Sequence, residues 1–198
     1  CAGLDSAQEL EGRAALAVDD LERAGGFRRQ SLLIVTSTGT GWVEPTSVTA
    51  FEFLTGGDCA TVSLQYSFLP SPLSFLADRE KARDAGRALF DFVYERWSRL
   101  PANARPRLYV FGESLGSYGG EAAFSGEHDM ANRLSGAVFT GPPSINPLYR
   151  SFVERRASGT REIEPVFRDG RTVRFTLNLR RPARPADAPW DGTRILYM

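Results

Sequence analysis

An α/β fold, a mostly parallel sheet with helices on both faces, is what this 198-residue sequence predicts, and three features predict it. Short apolar runs recur at 31–36, 60–66, 107–111, 136–140 and 194–198. Stretches with helical spacing alternate with them. The 31–36 run lacks an apolar–polar alternation, as a strand covered on both faces does.

Residues 8–24 place Leu10, Ala14, Ala17, Val18 and Leu21 on one helical stripe, and Gly25-Gly26 ends it. Ser31-Leu32-Leu33-Ile34-Val35-Thr36 reads as a buried strand that runs into a loop, Thr38-Gly39-Thr40-Gly41-Trp42. A helix is expected over 45–54, closed by Gly56-Gly57, and a second strand over 60–66. Residues 78–98 form the clearest helix. Ala82, Ala85, Leu89, Phe92, Val93 and Trp97 share its apolar face, and Asp78 and Glu80 suit its positive N-terminal end. Strands follow at 107–111 and 136–140, helices at 115–124 and 147–156. Asp169-Gly170, between 164–168 and 171–177, predicts a hairpin inserted at the sheet edge. Residues 180–192 read as a loop, and Arg194-Ile195-Leu196-Tyr197-Met198 as a last core strand.

Composition excludes several classes of function. The formal net charge is zero, so no broad field favours nucleic acid. No apolar run approaches the roughly 20 residues that span a bilayer. There is no Cys/His cluster and no H-E-x-x-H, so no metal is expected. The Gly-rich 38–41 loop lacks the Gly-Lys-Ser/Thr of a phosphate loop, and no cofactor is implied. Cys1 and Cys59 are a chain-end residue and a small core hydrophobe; no His or Lys stands near Cys59 in sequence to make it a nucleophile.

The chemistry points to Phe111-Gly112-Glu113-Ser114-Leu115-Gly116, a G-x-S-x-G sequence between a predicted strand and a predicted helix. That context makes the motif a nucleophile elbow. Gly112 and Gly116 let strand and helix approach around Ser114, with Glu113 in the turn. The hydroxyl of Ser114 then projects at the carboxyl edge of the sheet. Leu115 N–H, at the start of the helix, faces a developing oxyanion. A second donor is expected from the loop after the 31–36 strand, Thr40 N–H first and Gly39 N–H next. Trp42, Tyr66, Phe68, Tyr118, Tyr149 and Phe152 fall near that edge and suit either an apolar pocket or core packing.

A serine nucleophile needs a base and an acid that orients it, and behind such an elbow the acid and then the histidine follow the serine. The single histidine, His128, lies at the far end of the helix predicted from Leu115, about 20 Å away at 1.5 Å per residue. The 136–140 strand leads into Gly141-Pro142-Pro143-Ser144, without an acid. Asp169 is read as a turn residue, and Asp187 and Asp191 as solvated loop residues. Acid and base are therefore expected beyond residue 198. The competing expectation is a domain that keeps the fold without the chemistry.

Several segments together carry a resemblance. They are Gly3-Leu4-Asp5-Ser6-Ala7, Val35-Thr36-Ser37-Thr38-Gly39-Thr40-Gly41-Trp42-Val43, Gln65-Tyr66-Ser67-Phe68-Leu69-Pro70-Ser71, Asp78-Arg79-Glu80 to Phe90, Phe111 to Ser117, and Gly141-Pro142-Pro143. The sequence resembles a bacterial α/β-hydrolase family, mainly actinobacterial, whose members are called alpha/beta-hydrolase membrane proteins. The resemblance implies an α/β-hydrolase-like sheet that is C-terminally incomplete. Residues 1–198 would be the N-terminal and central part of one catalytic domain, with the acid- and base-bearing part beyond. It implies a multi-helix membrane region before this domain, and so a membrane-associated parent protein. The implied substrate is a small-molecule or lipid ester. It would be cleaved by hydrolysis or acyl transfer through a Ser114 acyl-enzyme; the alternative is an inactive binding or interaction domain.

Overall fold

The computed structural model describes residues 2–68, 79–177 and 188–198. Six strands, β1 Ser31–Thr36, β2 Cys59–Leu64, β3 Arg107–Glu113, β4 Gly136–Thr140, β5 Val173–Phe175 and β6 Arg194–Tyr197, form one sheet in the order β2-β1-β3-β4-β6-β5. Every ladder between them is parallel. The helices are α1 Leu10–Arg23, α2 Pro45–Leu54, α3 Arg79–Ser98, α4 Leu115–Glu121, α5 Glu127–Arg133 and α6 Pro147–Glu154.

Strand β1 shows why the sheet needs cover on both sides. Leu32 and Ile34 join the large core beneath α1, α3 and α4. Leu33 and Val35 turn to the other face, with Phe111, against Val43 and Phe51 at α2. A strand alternates its side chains, so a continuous apolar run feeds two cores. The cover is uneven: on the α2 side a groove of about 1170 Å³ runs along Leu33, Tyr109, Phe111 and Val138. Helix α2 starts with Pro45 at its first turn, and the Glu44 carboxylate accepts from Thr46 N–H at 2.9 Å.

Two expectations are corrected. Strand β2 ends at Leu64 rather than 66; Ala2 lies beside it, and Gln65 N–H donates to Ala2 C=O at 3.0 Å. The Asp169-Gly170 hairpin does not form. Asp169 and Gly170 do take the left-handed conformations that such a turn asks for, φ 57° and 63°. However, Val173–Phe175 pair parallel to β6, and residues 164–168 form no strand. Burial decided the outcome. Phe167 is spent on a ring contact with Phe152 at 4.8 Å, and Val173 and Phe175 are core residues.

Candidate active site

Strand β3 ends at Glu113 and α4 begins at Leu115, so Ser114 alone makes the turn. Its backbone sits at φ 50°, ψ −120°, a conformation that non-glycine residues seldom adopt. Ser114 N–H donates to Thr140 C=O at 2.8 Å, which ties the turn to the end of β4. Ser114 is exposed, whereas every residue of α4 behind it is buried.

The glycines stand where a side chain would not fit. A Cβ on Gly112 would stand 2.5 Å from Gly116 O and 2.7 Å from Thr36 Oγ1. One on Gly116 would overlap Thr36 O. Thr36, at the end of β1, holds this contact together. Its hydroxyl donates to Gly116 C=O at 2.6 Å and lies 3.2 Å from Phe111 C=O. Glu113, the last residue of β3, is half-buried.

The 38–42 loop leaves the sheet beside this turn, because Thr36 pairs with Gly112 in register. It is a tight turn: Gly41 N–H donates to Thr38 C=O at 2.9 Å, with Gly41 at φ 83°. Ser67 N–H donates to Gly39 C=O at 2.9 Å and joins it to the loop after β2. Gly39 is buried and Thr40 exposed. Leu115 is the first residue of α4, where a helix leaves its N–H groups unpaired within the helix.

His128 requires a correction. The helix predicted over 115–124 stops at Glu121, and His128 belongs to a separate helix, α5, in its first turn. Gly126 precedes α5, and Ser125 N–H donates to Asp129 Oδ2 at 2.9 Å, closing its start. His128 is exposed, and its Nε2 lies 2.7 Å from Arg168 Nη1. Arginine only donates, so Nε2 accepts. The same Arg168 nitrogen bonds buried Glu127 at 3.0 Å.

The other candidates separate. Asp191 faces Arg171 at 3.7 Å, and Asp187 lies outside the described residues. Cys59 is a free, half-buried thiol, and Cys1 lies outside the described residues. Among the described residues no group of three His, Cys, Asp or Glu side chains could hold a metal ion. Of the aromatics, Phe152, Tyr118 and Tyr66 are core residues, and Tyr149 packs on Tyr197 and Phe175. Trp42 and Phe68 stay 57% and 73% exposed, on loops that leave the carboxyl ends of β1 and β2.

A feature that sequence reasoning missed lies behind the elbow. Glu121, the last residue of α4, is buried, and its four hydrogen-bond partners among the described residues are all donors. It accepts from Tyr197 Oη at 2.8 Å, Asn146 Nδ2 at 3.2 Å, Leu148 N–H at 2.9 Å and Tyr149 N–H at 3.2 Å. The last two are orphan N–H groups of the first turn of α6, so Glu121 caps a helix distant in sequence. Burial pushes its carboxyl up to about 7, against the pull of these four donors. Burial, with the same carboxylate beside it, raises the Tyr197 phenol well above its usual range.

A family model described as an alpha/beta-hydrolase family matches residues 1–198. No curated protein and no solved structure matches. Among the described residues no helix is long and apolar enough to cross a membrane.

Proposed function

The chain belongs to the alpha/beta-hydrolase family, and from that premise we propose that it is the nucleophile-bearing part of a serine hydrolase or acyltransferase. The observation that carries this is the strained, exposed backbone of Ser114 at φ 50°, ψ −120°, between a buried strand and a buried helix. Strain of this kind persists where surrounding structure enforces it, and here it presents a hydroxyl at the edge where α/β sheets bind ligands.

In this mechanism Ser114 Oγ attacks the carbonyl of an ester. The tetrahedral oxyanion is held by Leu115 N–H and by Thr40 or Gly39 N–H. The alcohol leaves, and water or a second alcohol releases the acyl group from Ser114. His128, on α5, is engaged with Arg168, and this reading takes the general base and its acid from polypeptide outside these 198 residues. Exposed Trp42 and Phe68 suit an apolar acyl chain, and the resemblance to membrane-anchored relatives favours a lipid or acyl ester at a membrane.

A second reading, a binding domain that keeps the fold without the chemistry, is favoured by the engagement of His128, the single histidine of the sequence, with Arg168. Labelling of the full-length polypeptide with a fluorophosphonate separates the two. Labelling that Ser114→Ala abolishes supports the hydrolase. A folded full-length protein that does not label supports the binding domain.

A further inference from the structure

Ser117 stands one helical turn after the nucleophile. Its hydroxyl donates to Ser114 C=O at 2.6 Å. Two backbone donors reach the same oxygen, Ser117 N–H at 2.9 Å and Tyr118 N–H at 3.4 Å. The Ser114 carbonyl and the Leu115 N–H belong to one planar trans peptide, so they point in opposite directions. Whatever holds the carbonyl into α4 therefore aims the Leu115 N–H outward.

The hydroxyl of Ser117 is itself held. Asn146 Nδ2 donates to Ser117 Oγ at 3.0 Å and to Glu121 Oε1 at 3.2 Å. Asn146 is completely buried, and among the described residues its Oδ1 has no hydrogen-bond partner. The reverse amide orientation would set that oxygen against the Glu121 carboxylate, so Glu121 fixes which way Asn146 faces. Glu121 is in turn fixed by Tyr197 Oη and by the first turn of α6. With Asn146 donating to it, the Ser117 hydroxyl keeps its own proton for Ser114 C=O.

Resting on the serine-hydrolase reading, we infer that Ser117, oriented by Asn146 and Glu121, is a positioning residue that aims the Leu115 N–H at the oxyanion. It touches no substrate. Its work is to hold a strained peptide plane in the orientation that catalysis needs.

The test uses the full-length polypeptide carrying Ser117→Ala or Asn146→Ala, a fluorophosphonate, and the Leu115 amide signal in an NMR spectrum. Complete loss of an oxyanion donor costs about 100- to 1000-fold, so a mis-aimed donor should lower the maximal labelling rate by about ten- to a hundredfold. The half-saturating probe concentration and cooperative melting should be retained, because the interaction acts only in the transition state. The Leu115 amide should shift or broaden in Ser117→Ala as its peptide plane is released. Labelling within twofold of wild type with an unmoved Leu115 amide overturns the inference and leaves the serine hydrolase standing. If the wild type itself fails to label, the hydrolase reading falls. The orientation is then decided by the Leu115 amide in the two variants: a shift supports it, and an unmoved signal overturns it. Should Ser117→Ala melt early, Asn146→Ala gives the same two readouts with the hydroxyl still in place.

Discussion

Gly86 of α3 and Gly119 of α4 meet backbone to backbone: a Cβ on Gly86 would overlap the Gly119 carbonyl, and one on Gly119 would stand 2.6 Å from Ala82 O. The elbow helix therefore has no room to retreat on its outer side. Gly86→Ala should destabilise the protein by about 1–2 kcal/mol net, since overpacking against backbone falls in the upper part of the roughly 1–3 kcal/mol range and the helix-propensity gain offsets at most about 1. Urea unfolding checks this. A variant as stable as wild type would mean that the two helices can part at no cost.

Thr36 leads to a second expectation. Its hydroxyl bonds the Gly116 carbonyl inside the elbow. Thr36→Val keeps the shape and removes that donor, leaving a buried carbonyl with one partner fewer. The loss should be about 1–3 kcal/mol, with Thr36→Ser close to wild type. Chemical denaturation of the pair of variants separates the hydroxyl from the methyl group.

Glu121 makes stability depend on pH with a definite sign. Its folded value of about 7 lies above the ordinary carboxyl value of 4.5. Between these values the folded state binds more protons than the unfolded one. Its contribution is thus fully present below about 4.5 and is lost as pH rises through about 7, by roughly 3 kcal/mol at most. Glu121→Gln should flatten this slope. It should also lower stability at acid pH, because its amide adds donors where four donors already converge. Denaturation midpoints measured from pH 4 to pH 8 for both proteins give the comparison. An identical slope in Glu121→Gln would assign the titration to another group.

The sheet was legible because its signals are local. β1, β4 and α2 occupy 31–36, 136–140 and 45–54 as read from the sequence, since continuous apolar runs and a proline at a first helical turn need no distant partner. The elbow was legible for the same reason: Gly112, Ser114 and Gly116 state their geometry within five residues. Glu121 was not. It is one acid in a glycine-rich helix, and its side-chain partners Asn146 and Tyr197 come 25 and 76 residues later. The Asp169-Gly170 turn was half legible. Its backbone angles follow the two residues, but the pairing followed Phe167, Val173 and Phe175 into the core. His128 was misplaced because the break at Ala122–Gly126 depends on Phe124 being buried.

The strain at Ser114 can be measured directly. Its φ of 50° and ψ of −120° lie where glycine is at ease and a Cβ is not. Ser114→Gly should therefore raise stability by about 1 kcal/mol, net of the greater freedom of glycine in the unfolded chain. Ser114→Ala keeps the Cβ and should not gain. Both should abolish fluorophosphonate labelling. A stabilised Ser114→Gly beside an unchanged Ser114→Ala would show that the fold spends stability to hold this hydroxyl in place, as expected of a nucleophile under selection for reactivity. Equal stability of both variants and wild type would mean that the turn is relaxed and that Ser114 occupies it at no cost.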